Sequence, residues 1–264
     1  MMNKQQLYLL ISLAKRDFAS RFKGAALGLL WAIFTPLFTL AVYYFAFGVV
    51  FKVRWQSMGF SSTGTEPPSV LIMFTGLIFF NFFAECLTRA PSLYRENPNY
   101  IKKVIFPLEL LPIVVIITAA VNACISLVLL TILYIALVGL PGWQILLLPA
   151  VFLPLLLGGL GGIYALASLG VYVPDLKNIV TPLSMVFMFL TPIFYPEALV
   201  PEQYHWVFMA NPLAGVIKQA RMLLFTNEFP SLLQYAALLF CGVLLCLCGY
   251  LFFKKLRKGF CDVL

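Results

Sequence analysis

The sequence predicts an all-α integral membrane protein with six transmembrane helices, and three observations carry that reading. The first is where charge is missing. Stretches 24–51, 67–84, 110–174, 178–196 and 229–253 hold no Asp, Glu, Lys or Arg. A bilayer core is about 30 Å thick and takes about 20 apolar residues in a helix to cross, and each stretch is near or above that length. The second is composition: 62% hydrophobic and 11% charged, against the roughly 25% charged residues of soluble domains. The third is a break inside the longest stretch, at Gly139-Leu140-Pro141-Gly142-Trp143. There Gly and Pro make a turn and Trp suits the headgroup layer, so 110–174 divides into two crossings.

The elements follow in order. In residues 4–23, Leu7, Leu10, Ile11, Ala14 and Phe18 recur at helical spacing while Lys15, Arg16, Asp17 and Arg21 take other faces. That pattern predicts an amphipathic helix lying in the membrane interface, and no cleavable signal peptide is expected. Spans are expected at about 26–51, 69–86, 107–138, 144–173, 178–195 and 231–253. Pro107 and Pro112 sit near the start of the third, where proline costs least. Between spans five and six, 196–231 is too apolar for a free loop and is punctuated by Pro196, Pro201, Pro212 and Pro230. Short apolar segments bounded by proline fit re-entrant or interfacial half-helices. One domain, 1–264, is expected: an interface helix over 1–24, the six-span region over 25–253 and a tail over 254–264.

The net charge of +8 does not call for nucleic acid. With the N-terminus inside, fourteen Lys and Arg fall on inside segments and four, Lys52, Arg54, Lys218 and Arg221, on outside loops. Positive loops resist translocation, so both termini are expected in the cytoplasm. The six Cys residues form no Cys-x-x-Cys and none lies on an expected outside loop, so they read as packing residues.

Several chemistries are excluded. No Gly-x-x-x-x-Gly-Lys-[Ser/Thr] is present, so the chain holds no P-loop for ATP. One His, His205, makes a His-based metal site untenable. Every span interior is uncharged, with Glu85, Glu109 and Asp175 only at span edges, whereas ion-coupled transporters place a carboxylate or Lys within a span. No cluster of Asp, His or Arg suggests an enzyme acting on lipid-linked glycans. These gaps point to a passive conduit or one energised from outside.

Two features stay open between uses. Trp31, Phe34, Phe38 and Phe45 share a face of the first span, and Phe187, Phe194 and Tyr195 fall in the fifth. Such rings serve lipid contact and helix packing, or stack on the C–H faces of sugars. Segment 89–103, with Pro91 and Pro98 bracketing a short helical piece, either obeys the positive-inside rule or offers a helix to a soluble partner. Gly158-Gly159-Leu160-Gly161-Gly162 contains Gly-x-x-x-Gly, a close-packing signal.

Read together, Arg16-Asp17-Phe18, Arg21-Phe22-Lys23-Gly24, Leu27-Gly28-Leu29-Leu30-Trp31-Ala32 and Pro36 resemble the start of polysaccharide-exporting ABC transporter permeases, the membrane subunits that export O-antigen, capsule or teichoic acid chains. Asn99-Tyr100-Ile101-Lys102-Lys103-Val104-Ile105-Phe106-Pro107, Thr191-Pro192-Ile193-Phe194-Tyr195-Pro196, Asn211-Pro212-Leu213 and the ending Phe260-Cys261-Asp262-Val263-Leu264 continue the likeness. Cys261 stands where the family's tail has Ala.

The resemblance implies a bacterial inner-membrane subunit that pairs with a second copy around a channel for a polyprenyl-linked polysaccharide. Each copy would bind a separate ATP-binding subunit, which would hold the ATP and Mg; none would sit in this chain. By the same resemblance, Tyr94, Arg95, Glu96, Tyr100, Lys102 and Lys103 belong to the coupling helix that meets the ATPase. Trp31, Phe34, Phe38, Phe187, Phe194 and Tyr195 would line the sugar path. Tyr204, Trp206, Phe208, Lys218 and Arg221 would sit on half-helices at the periplasmic mouth. The alternatives are a permease for a drug or lipid, and a membrane-embedded lipid-linked glycan enzyme.

Overall fold

The structure, a computed structural model, describes residues 4–52, 55, 68–101, 106–226 and 229–263. Among the described residues it is helical, with turns and no strand.

α1 (Lys4–Ser20) is amphipathic as its spacing requires. Leu10, Leu13 and Ala14 are buried with Leu110 and Val114 of a later helix. The chain then turns through Gly24 (φ 88°) and Gly28 (φ 50°), left-handed conformations that a Cβ would strain. α2 (Trp31–Tyr43) follows and winds on as a π-helix over Tyr44–Val50.

α3 (Ser69–Arg89) is the centre of the molecule. Every residue from Leu71 to Phe80 is buried, which explains why it is apolar on all sides. Around it stand α5 (Leu110–Leu137), α6 (Leu148–Tyr172) and α7 (Leu176–Phe189). α4 (Pro98–Ile101) is a single turn. α10 (Leu232–Leu256) lies along α6, and α11 (Phe260–Val263) folds back beneath them.

The α6–α10 contact is made backbone to backbone. A Cβ on Gly161 would overlap the Leu245 carbonyl, one on Gly249 the Gly161 carbonyl, and one on Gly242 would lie 2.5 Å from the Pro154 oxygen. Only glycine allows that approach, which gains close van der Waals contact where no hydrophobic force drives helices together.

Among the described residues five helical stretches are long and apolar enough to cross a bilayer: Gly28–Val50, Ser69–Arg89, Leu110–Leu137, Trp143–Tyr172 and Leu232–Gly259. The expected fifth span behaves differently. α7 has 14 residues, about 21 Å at 1.5 Å per residue, and its helix stops at Phe189. The reason is local, since Pro192 disfavours helix at the residue before it. The freed groups are met nearby: Thr191 Oγ1 donates to the Phe187 carbonyl (2.7 Å) and Tyr195 Oη to the Phe189 carbonyl (2.5 Å).

After this bend come two 3₁₀ turns (Glu197–Leu199 and Glu202–Tyr204), α8 (His205–Ala210) and α9 (Pro212–Arg221). α9 starts where the sequence says it should. Asn211 caps it by accepting the Leu213 N–H at 3.0 Å, and Pro212 occupies the first turn, where its missing N–H is harmless. Leu213, Val216, Ile217 and Ala220 carry α9 into the core against α3, α6 and α10.

Candidate functional site

At the end of the molecule that carries α1, four charges meet where α1 lies against α3 and α5. Arg89 Nη2 donates to both Asp17 carboxylate oxygens, at 2.7 and 2.9 Å. Arg21, in the turn just after α1, pairs with Glu85, and the i,i+4 pairs Asp17–Arg21 (3.6 Å) and Glu85–Arg89 (3.5 Å) close the square. Asn122 Nδ2 donates to Glu85 at 3.0 Å, and Arg21 and Arg89 each donate to Thr118 Oγ1 at 3.0 Å. The side chains are 19–29% exposed, so the charges are only partly screened. Their formal sum is zero, as a group set into the edge of an apolar bundle must approach.

Charge location in the sequence counts Arg21 and Arg89 among the positive-inside residues and does not pair them with the acids of this network. Its signal was present: the two acids that stand four residues before an Arg, Asp17 and Glu85, are the two that meet here.

Segment 89–101 packs beneath the network. Tyr94 is fully buried. Its ring lies near those of Phe253 and Phe260, and its hydroxyl donates to the Leu108 carbonyl at 3.3 Å. Burial, with neighbouring Tyr164 and Glu109, pushes this phenol well above its ordinary range, so it keeps the proton it donates. Arg95 reaches back to the end of α6, with Nε on the Gly170 carbonyl (2.9 Å) and Nη2 on that of Val171 (2.8 Å). Glu96 is exposed. Tyr100 is half-buried against Phe106 and accepts a hydrogen bond from Arg16. Lys102 and Lys103 lie outside the described residues.

The aromatic residues assigned to a sugar path divide into two groups. Trp31, Phe34 and Phe38 are 44%, 49% and 72% exposed, so α2 presents an uncovered aromatic face. Phe194 is buried, stacked on Phe47 at 4.5 Å. Phe187 is half-buried with its ring edge-on to Phe83 (5.6 Å), and half-buried Tyr195 faces Phe208. Beside Trp31 a groove of about 360 Å³ runs between α2, α3 and α5. Thr35, Thr39, Asn81, Asn122 and Ser126 line it with uncharged hydrogen-bonding groups, and Arg21 and Glu85 of the charge network also form part of its wall.

At the opposite end, Tyr204 and Trp206 are exposed and Phe208 is half-buried. Lys218 pairs with Glu197 at 3.3 Å. Arg221 is 2% exposed and holds three carbonyls: Ile72 (3.2 Å), Pro192 (2.7 Å) and Ile193 (3.0 Å). Its guanidinium lies 4.8 Å from the Trp55 ring centroid. Arg221 thereby joins α9, the bend after α7 and the start of α3.

Residues 8–225 match the ABC-2 type transporter family. The chain belongs to that family. It is similar to the O-antigen export system permease protein RfbA of Myxococcus xanthus, 28% identical over 256 residues that cover 96% of this chain and 94% of that one. Two proteins of the same name from Klebsiella pneumoniae are 26% identical over 260 residues and 27% identical over 262 residues, each covering 97% of this chain and 95% of its own length. These relatives bear out the family resemblance drawn from the motifs. With its apolar helices, the chain is a multi-pass membrane protein of the transporter class.

Proposed function

We propose that this chain is the transmembrane subunit of an ATP-driven exporter that moves a polyprenyl-linked, O-antigen-like polysaccharide from cytoplasm to periplasm through a channel formed by two copies. The observation that carries the reading is similarity over nearly the full length to permeases named for O-antigen export. The uncovered aromatic face of α2 fits it, since rings left bare by the protomer are open to a second copy and a sugar chain as well as to lipid. The polar groove beside Trp31 adds hydrogen-bonding partners for hydroxyl groups.

In this reading 1–264 is one permease domain of the bacterial inner membrane, with six spans and both termini cytoplasmic. α7, lengthened by the bend at 190–195, is the short fifth span, and α8 and α9 are half-helices at the periplasmic mouth. Two ATP-binding subunits, which hold ATP and Mg, dock under segment 89–103. Exposed Glu96 and half-buried Tyr100, with Lys102 and Lys103, are the residues assigned to that contact. Buried Tyr94 and back-bonded Arg95 pass the movement to α6 and the C-terminal helices. Within the aromatic set, Trp31, Phe34 and Phe38 face the path, with Phe187 and Tyr195 at its side and Phe194 supporting them from within. Around the mouth Tyr204, Trp206, Phe208 and Lys218 form the rim, and Arg221 holds it.

The test has two parts. Tagged chain extracted in mild detergent should bring down an ATP-binding subunit in equal amount. Deleting the chain in its host should leave lipid-linked polymer inside and remove it from the surface. Isolation without such a partner, or unchanged surface polymer, overturns the proposal.

A further inference from the structure

The end of the chain closes a ring of aromatic side chains around Tyr94. Phe260, the first residue of α11, is fully buried. Its ring centroid lies 5.0 Å from that of Tyr94, 6.2 Å from that of Phe253 in α10 and 6.2 Å from that of Tyr172 at the end of α6. The turn that delivers Phe260, Arg257–Gly259, has polar ties of its own. Arg257 pairs with Glu109 at the start of α5 at 2.6 Å, and the Tyr172 hydroxyl donates to the Leu256 carbonyl at 2.8 Å. A Cβ on Gly259 would lie 2.6 Å from that same hydroxyl oxygen, so the chain passes the tyrosine closely.

Four residues are too few for α11 to hold a helix by itself. Its order comes from burying Phe260 and from the two polar ties. Segment 89–101 depends on its surroundings in the same way. Its turns close on local hydrogen bonds, from the Leu93, Glu96 and Asn97 N–H groups to the Ala90, Ser92 and Tyr94 carbonyls, and such single turns are unstable without tertiary packing. Arg95 fixes the segment to α6. Tyr94 fixes it to α10 and the tail, stacked on Phe253 at 6.0 Å and closed in by Phe260. The tail thus touches four elements: the segment, α5, α6 and α10. Packing α10 on α6 does not call for this, since those helices already meet through their glycines. What the tail adds to that pair is the segment and the start of α5.

We propose that Phe260 is a positioning residue for coupling. Through the Tyr94 ring it holds segment 89–101 against α6 and α10, so that a push on the segment moves both helices as one body. The coupling role rests on the exporter reading, in which the segment receives the ATP-binding subunit.

The full chain, purified with any partner it retains, is compared with Phe260→Ala, Phe260→Leu and Tyr172→Phe. Hydrogen exchange is read first. Phe260→Ala should speed exchange of amides 90–100 about tenfold and leave those of α3 and α9 unchanged. Phe260→Leu, which keeps most of the buried volume, should fall between Phe260→Ala and the native chain. Tyr172→Phe keeps its ring and loses only the tie to Leu256, so it should speed the same amides by a smaller factor. It also carries the test if Phe260→Ala fails to insert. Unchanged exchange at 90–100 in the inserted variants overturns the proposal. Export and ATP hydrolysis are then measured on the same vesicles. Polymer exported per ATP hydrolysed should fall about tenfold in Phe260→Ala, with Phe260→Leu restoring part of the ratio and hydrolysis continuing in both. A merely structural defect would lower the amount of assembled complex, so both activities would fall together at an unchanged ratio; that result overturns the coupling role. If no ATP-binding subunit accompanies the chain, the exporter reading and the coupling role fail together, whereas faster exchange at 90–100 still assigns Phe260 the placing of the segment.

Discussion

Arg89 grips Asp17 across 72 residues of sequence, one guanidinium nitrogen donating to both carboxylate oxygens at 2.7 and 2.9 Å. This contact ties the amphipathic α1 to the end of the most buried helix, α3. The other two charges come from α3 (Glu85) and from the turn just after α1 (Arg21), so α1 is held by these ion pairs and by the small apolar patch around Leu10 and Leu13.

Asp17→Asn is expected to loosen α1 without unfolding the bundle. Hydrogen bonds between charged groups contribute about 1.5–3 kcal/mol, and partial exposure lowers that here to about 1–2 kcal/mol. Amides of 4–20 should therefore exchange about tenfold faster with solvent, while those of α6 and α10 stay unchanged. Arg89→Ala should act through the same contact, so the double variant should cost less than the sum of the singles. Additive effects would remove the pair from this role.

The glycines of α6 make a graded test of helix packing. Gly161→Ala places a methyl on the Leu245 carbonyl, whereas the methyl of Gly158→Ala finds its nearest atom, Leu245 Cδ1, at 3.6 Å. The first should destabilise by about 1–3 kcal/mol or more, because backbone must move. The second should stay within about 0.5 kcal/mol. Thermal unfolding in detergent separates them, and equal effects would mean that α10 does not sit on Gly161.

These glycines also show how far the sequence could be read. Gly158-x-x-x-Gly162 announces a close contact, but which glycine meets which backbone depends on how α10 is rotated, information that lies in Gly249, 88 residues beyond the Gly161 it meets. The crossing helices were legible because hydrocarbon imposes a length without charge, a local and severe constraint. The end of α7 was written in Pro192, yet a count of apolar residues runs through it. Arg221 was tallied as an outside charge. It stands four residues after Ile217 and three before Leu224, so helical spacing already placed it on the inward stripe; what spacing does not reveal is that three carbonyls from elsewhere in the chain wait for it.

Arg221→Met should be costly for that reason. It removes the donors and leaves the carbonyls of Ile72, Pro192 and Ile193 buried and unmet, about 3 kcal/mol or more. Arg221→Lys keeps the charge, but one ammonium lacks the planar fork that reaches three oxygens, and an intermediate loss is expected. Limited proteolysis after Phe189 should increase in the same order, Met above Lys above the native chain. A Met variant as stable as the native protein would show that the guanidinium does not hold the bend.

The contact between segment 89–101 and α6 sets the last expectation. Arg95 donates to the carbonyls of Gly170 and Val171, and a Cβ on Gly170 would overlap the Pro91 carbonyl. Gly170→Ala therefore pushes this segment off α6 while adding only one methyl to a helix that already spans. If the segment receives the ATP-binding subunit, the variant should insert and bind that subunit, yet export should fall at least tenfold while ATP hydrolysis continues. Arg95→Ala removes two hydrogen bonds without the clash and should give the same pattern more weakly, about 1–3 kcal/mol of lost fixation. Hydrolysis and export measured on the same vesicles decide it. A parallel fall in both would place the defect in assembly, and unchanged export in both variants would release segment 89–101 from any part in coupling.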